Sequence, residues 1–119
     1  MVNKISTDLI RGHTDTIILN VLRHGDSYGY QIYKTIIQMS ENQYELKEAT
    51  LYTAFRRLEK EGYITSYWGD ETQGGRRKYY RITKEGLEQY EQSKKEWHFA
   101  KRVLNKLIEG GMETNGVQK

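Results

Sequence analysis

The segment from Arg76 to Lys84, RRKYYRITK, holds five basic residues and no acidic one, although the whole chain balances 19 basic against 16 acidic residues for a net charge of +3. Placement therefore says more than the total: one short stretch is suited to an anionic partner. Just ahead of it, the pair Gly74-Gly75 lets backbone approach a surface closely, and Arg76, Arg77 and Lys78 supply cations beside it, a combination that suits phosphate. A second set of polar groups lies between Lys47 and Glu61, where Leu51, Phe55 and Leu58 recur at helical spacing. If those three face a core, Thr50, Tyr52, Thr53, Arg56 and Arg57 face outward, a non-acidic set able to contact base edges or phosphates. Tyr28 and Tyr30 flank Gly29 at the start of another helical pattern, where hydroxyls and the positive end of the helix dipole favour phosphate. Core packing accounts equally well for at least one of these two tyrosines, and a solvated surface accounts for either basic feature taken singly.

Catalysis finds no support in the residue pattern. His13, His24 and His98 form no metal-spaced pair, no serine sits in a nucleophile elbow, and no glycine loop has the phosphate-cradling pattern followed by Lys and Ser or Thr. The absence of cysteine excludes a disulfide framework, a thiolate zinc site and a cysteine nucleophile. The expectation is a protein that is not an enzyme and needs neither cofactor nor metal.

These groups need elements to position them, and 119 residues accommodate one domain with at most one protruding element. Thr7 or Asp8 caps a first helix running to about residue 24, where Gly25 stops it. Asp26 and Ser27 offer the cap of a second helix ending near Met39 or Ser40. Gln43 to Leu46 alternates briefly enough for a short strand, and Lys47 to Glu61 forms the third helix. The runs YITSYW (63 to 68) and KYYRI (78 to 82) read as an antiparallel hairpin across the turn from Gly69 to Arg77. Thr83 caps a long last helix from Lys84 to Glu109, and residues 110–119 are expected to be a disordered tail. No apolar run approaches the roughly 20 residues of a membrane span, and the first residues lack the pattern of a signal peptide, so a cytoplasmic protein is expected.

Three helices followed by a hairpin is the order of a winged helix-turn-helix, in which the third helix enters the major groove of duplex DNA and the hairpin lies on the backbone. The predicted fold class is mainly α with a small β-hairpin: a winged helix-turn-helix over residues 5–83 with a long C-terminal dimerisation helix over 84–109. Tyr90, Ser93, Trp97, Ala100, Leu104 and Leu107 step by three and four, the spacing of a coiled-coil seam. At 1.5 Å per residue this helix extends about 39 Å, more than three compact helices cover, so a second copy is expected on it. A homodimer would place two reading helices about 34 Å apart and predicts a pseudo-palindromic operator. The competing expectation is an architectural protein that uses the same cations without reading sequence.

The stretches ATLYTAFRRLEKEGYI, GGRRKYYRIT and DLIRGHTDTIILNVL resemble the PadR family of winged-helix regulators over nearly the whole chain. The run SYWGDETQGGRRKYYRIT is most similar to multidrug-sensing repressors of its smaller subfamily. The resemblance implies a homodimeric repressor whose third helix and wing hold operator DNA. It also implies that Trp97 faces its counterpart across a central pore admitting planar aromatic ligands, with Ser93, Lys94, Lys101, Gly12, Asp15 and Thr16 nearby. Lys94 and Lys101 make such a pore basic, so the expected effector is a neutral or anionic planar aromatic. A PadR-like regulator without any effector, in which Trp97 simply packs across the dimer, is the alternative.

Overall fold

The computed structural model describes residues 3–70 and 76–112. Eight elements follow in order: α1 (Thr7–Ile10), α2 (Thr14–Leu22), β1 (Ser27–Tyr28), α3 (Gly29–Met39), α4 (Glu48–Lys60), β2 (Ile64–Trp68), β3 (Lys78–Ile82) and α5 (Lys84–Glu109). The strands form one antiparallel sheet in the order β1-β3-β2, with Ser27 opposite Tyr80 and Ser66 opposite the same residue on the other side. The fold is thus mostly helical with a small sheet and a long terminal helix.

The core is built by α2, α3 and α4 around Ile18, Leu22, Ile32, Ile36, Leu51, Phe55 and Leu58, closed by Ile64 and Tyr80 from the sheet. Leu51, Ala54, Phe55 and Leu58 lie three and four residues apart, so α4 buries one stripe and leaves the opposite face to solvent. A knot at Ser40 sets the turn from α3 to α4: its Oγ accepts from the Tyr44 N–H at 3.0 Å and lies 3.0 Å from the Ile37 carbonyl oxygen.

Four local expectations fail for identifiable reasons. The first helix is divided, because Gly12 at φ 94 turns the chain between α1 and α2. Its cap is Ser6, whose side chain accepts from the Asp8 N–H, rather than Thr7 or Asp8. Gln43 to Leu46 is not a strand; it crosses to α4 with Tyr44 and Leu46 buried in the core. The third strand is instead Ser27–Tyr28, and neither Asp26 nor Ser27 caps the second helix as expected: Ser27 Oγ donates to Gln31 Oε1 at 2.7 Å, and α3 begins without a side-chain cap. The proposed tail falls largely on residues 113–119, and Gly74 and Gly75 on 71–75, outside the described residues.

Thr83 joins the sheet to α5, since its hydroxyl donates to the Gly62 carbonyl at 2.7 Å and accepts from the Gly86 N–H at 2.9 Å. This brings Gly86 so close to the start of β2 that a Cβ there would stand 2.1 Å from the Tyr63 carbonyl oxygen and 2.7 Å from Ile82 Cγ1. Ala in place of Gly gains about 1 kcal/mol in a helix interior, but a backbone oxygen cannot swing aside as a side-chain tip can. Gly86→Ala is therefore expected to destabilise the fold by about 1–3 kcal/mol net. Urea denaturation with an unchanged slope and a lowered midpoint would register this; an unchanged or raised midpoint would contradict it.

Candidate nucleic-acid interface

Helical spacing divides the outward face of α4 into a ridge and two flanks. Ala49, Thr53, Arg56 and Lys60 form the ridge and are all exposed. Tyr52 leans to the side of the sheet, while Thr50 and Arg57 lie on the side of α2. Arg56 is held along the ridge by a hydrogen bond from Nη2 to Thr53 Oγ1 at 3.3 Å.

On the sheet side, a concavity is lined by Tyr28, Gly29, Tyr30, Tyr52, Arg77, Lys78 and Tyr80. The start of α3, the flank of α4 and the base of the wing thus come together as one surface. The Arg77 guanidinium lies 4.7 Å from the Tyr28 ring centroid, the Lys78 ammonium 5.9 Å from that of Tyr80, and Arg76 sits 5.1 Å from Trp68. Among the described residues, no carboxylate lies within ion-pair distance of Arg77 or Lys78. Tyr30 is exposed and stacks on Tyr33, with Lys34 over its ring. Gly29 lets Tyr52 lie across the start of α3, because a Cβ there would fall 2.2 Å from the Tyr52 hydroxyl and displace that side chain.

The other flank is neutralised. A second concavity is lined by Arg11, Gly12, Thr14, Asp15, Ala49, Thr50, Thr53 and Arg57. Arg57 makes a bidentate pair with Asp15, Nε standing 3.1 Å from Oδ2 and Nη2 bonding Oδ1, and Arg11 pairs with Asp8 at 2.9 Å. Hydrogen bonding to Asp15 holds the Arg57 pKa above its ordinary value. Gly12 and Asp15 were expected near Trp97; both lie instead on this groove, because the break at Gly12 turns Asp15 toward α4.

The third grouping lies along α5. Ile5, Leu9, His13, Thr16, Ile17, Asn20, Met39, Tyr90, Lys94 and Trp97 line a mostly apolar cavity of about 440 Å³. Thr16, Lys94 and Trp97 are thereby brought together within one chain, and Lys101 lies 4.2 Å above the Trp97 ring. Tyr90 does not belong to an open seam: it is 6% exposed, packed in the chain's own core with Arg23 over its ring. Ser93 and Ala100 are half-buried, whereas Trp97, Phe99, Leu104, Leu107 and Ile108 are exposed, the last two at 74% and 77%.

Sequence reasoning missed the group that braces the wing. Tyr67 donates to Asp26 Oδ2 at 2.6 Å and Arg81 reaches the same oxygen from Nε and Nη2 at 3.0 Å each. The Tyr67 hydroxyl first, and Arg81 second, hold the Asp26 carboxyl below its usual range. These residues lie 41 and 55 positions from Asp26, and no local pattern joins them.

Residues 18–92 match the transcriptional regulator PadR-like family. The chain belongs to that family. It is 55% identical to a transcriptional regulator from Clostridium thermocellum, covering 88% of this chain and 99% of that one with a TM-score of 0.82. A PadR family transcription regulator from Clostridium difficile is 43% identical, covering 82% of this chain and 99% of that one with a TM-score of 0.72. An uncharacterised protein of Lysinibacillus sphaericus is 44% identical over 106 residues, 89% of this chain and 97% of the relative. The PadR-like chain is accordingly a DNA-binding transcription regulator and not an enzyme. Among the described residues, no helix is long and apolar enough to cross a membrane.

Tyr80 links the interface to the core, and burial chiefly raises its phenol to about 12 from an ordinary 10, with Glu59 adding to the effect. A folded pKa above the unfolded one means that the neutral phenol's contribution is complete below pH 10 and is lost as pH rises through about 12. Tyr80→Phe should therefore show a shallower loss of stability between pH 10 and 12 than the natural chain. Denaturant midpoints measured across that window check this; parallel profiles would contradict it.

Proposed function

We propose that this PadR-like regulator is a homodimeric repressor that places α4 in the major groove of a pseudo-palindromic operator while the wing engages the flanking phosphates. The observation that carries this is the cationic, tyrosine-backed surface of Tyr28, Tyr30, Arg77 and Lys78 beside the polar ridge of α4. Phosphate attraction supplies affinity there, and the ridge residues Thr53 and Arg56, with Tyr52 on its sheet side, supply base discrimination. Arg76, 5.1 Å from the Trp68 ring, adds a further cation beside this surface. The uncovered side of α5 at Trp97, Leu104 and Leu107 supports a second copy as its occupant, with Ser93 and Ala100 as the small positions of the seam. Tyr90 anchors the root of that helix within each subunit. Binding over a promoter then excludes the transcription machinery.

Arg77→Ala and Lys78→Ala together should weaken binding to all duplexes alike and reduce the slope of log K against log salt by about two. Tyr52→Phe or Thr53→Val should instead change which sequences are retained from a randomised duplex pool. Equal losses on every sequence for both sets would favour the architectural alternative, as would competition by unrelated DNA at less than about 10³-fold excess.

The cavity beside Trp97 supports a regulatory ligand that lowers operator affinity. None of its lining residues among those described is acidic, Lys94 contributes to its wall and Lys101 covers one face of the indole. Such a site favours a planar aromatic that is neutral or anionic, stacking on Trp97 with its charge toward the lysines. In a Trp68→Phe background, Trp97 emission should quench saturably with a flat anionic aromatic and weakly with a cationic dye. Leu104→Glu should sediment as a monomer and bind the operator more weakly; quenching by cationic dyes alone would overturn the charge assignment, and no quenching would favour a regulator without an effector.

A further inference from the structure

The two flanks of α4 differ in a way that the number of arginines does not reveal. On the sheet side Arg77 and Lys78 rest over tyrosine rings, with no carboxylate at ion-pair distance among the described residues. On the α2 side both arginines are matched to acids, Arg11 to Asp8 and Arg57 to Asp15. The first pair is a loose surface contact, 73% and 80% exposed. The second is bidentate and about half as exposed, at 45% and 35%, and joins residues 42 apart in sequence. A fork held by two parallel bonds is fixed in direction as well as in charge.

Arg57 borders the same groove as Thr53, a ridge residue of α4, and so stands within a side-chain length of the surface that meets DNA. An unrestrained arginine there would engage any duplex, since phosphates carry no sequence information. We propose that Asp15 is a specificity-determining positioning residue: its carboxylate withholds Arg57 from the phosphates on the α2 side of the reading helix, so that sequence-independent attraction is confined to the wing side. This rests on α4 being the helix that enters the groove. It removes Arg57 from the expected DNA contacts and gives Asp15 a role away from the Trp97 cavity. The consequence is a lower affinity for unrelated DNA and a larger ratio of specific to non-specific binding, achieved without any contact between Asp15 and a base.

The test is a salt titration of binding to a mixed-sequence 24-bp duplex by fluorescence anisotropy, using the full chain. Asp15→Asn keeps one acceptor for the guanidinium and removes the charge, and Asp15→Ala removes both. Each released phosphate-seeking cation adds about 0.9 to the slope of log K against log salt. The slope should therefore steepen by up to about one in Asp15→Ala, less in Asp15→Asn, with affinity at low salt rising about threefold or more. Arg57→Ala in the natural background should leave the slope unchanged, and Asp15→Ala combined with Arg57→Ala should return it to the natural value. An unchanged slope in Asp15→Ala overturns the lock, and so does a slope that falls by about one in Arg57→Ala. A steeper slope that persists in the double variant also overturns it, because the effect then belongs to lost acidic repulsion and not to Arg57. No binding by the natural chain overturns the placement of α4 on DNA and the lock with it, whereas normal binding with unchanged variants overturns the lock alone.

Discussion

Phe55 on α4 and Tyr80 on β3 stack with ring centroids 4.1 Å apart and planes inclined by 26°. That contact fixes the angle between the exposed ridge of α4 and the strand that carries Arg77 and Lys78 to the same side of the molecule. Both rings are almost wholly buried, so the pair contributes apolar area as well as aromatic geometry, the latter worth about 0.5–1.5 kcal/mol by itself. Tyr52 adds an edge contact to Phe55 and reaches over Gly29. The start of α3 is thereby drawn under the same aromatic group, and the surface proposed to meet DNA is the outer rim of the core rather than an appendage to it.

Charge is then distributed on a frame already fixed by packing. Among the described residues, three acids close to the sheet side have other partners: Asp26 accepts from Tyr67 and Arg81, Glu59 accepts from Ser66, and Glu45 accepts from Tyr33. The cations at the foot of the wing are consequently left with rings as neighbours. On the opposite side the acids are spent on arginines. A net charge of +3 becomes a directional field because the neutralising residues are placed unevenly, and directional fields orient an approaching polyanion more effectively than an even excess of the same size.

The architecture was legible wherever apolar spacing was long and regular. Leu51, Phe55 and Leu58 define α4, and Thr83 with the good helix formers after it defines α5. Legibility failed where a single backbone angle or a distant partner decides. Gly12 sits in a sequence that continues helical periodicity, and the extended ψ of Arg11 with its own φ of 94 divides α1 from α2. Ser27–Tyr28 is too short to show alternation and becomes a strand solely because Tyr79 and Tyr80 pair with it. Gln43 to Leu46 alternates as a strand would, but Tyr44 and Leu46 alternate because they dip into the core from a connecting segment. Thr53 and Arg56 of the ridge were named from periodicity while Ala49 and Lys60 were not, whereas Asp15–Arg57 and Asp26–Tyr67–Arg81 join positions whose only relation is tertiary.

The short helix α2 connects the two halves of this design. His13, Thr16, Ile17 and Asn20, spaced by three and four, line the cavity beside Trp97, while Asp15 lies off that stripe and holds Arg57 on α4. Ile18, Leu19, Val21 and Leu22 meanwhile pack a further side of α2 into the core, so the helix is held as one packed unit. A ligand that stacks on Trp97 in the proposed site therefore presses on the same helix that restrains Arg57. Linkage makes any such coupling reciprocal: whatever position of α2 operator DNA prefers, a ligand favouring another position weakens DNA binding by the same factor by which DNA weakens the ligand. The coupling needs no long chain of contacts, since one nine-residue helix forms the wall of one site and the anchor of the other.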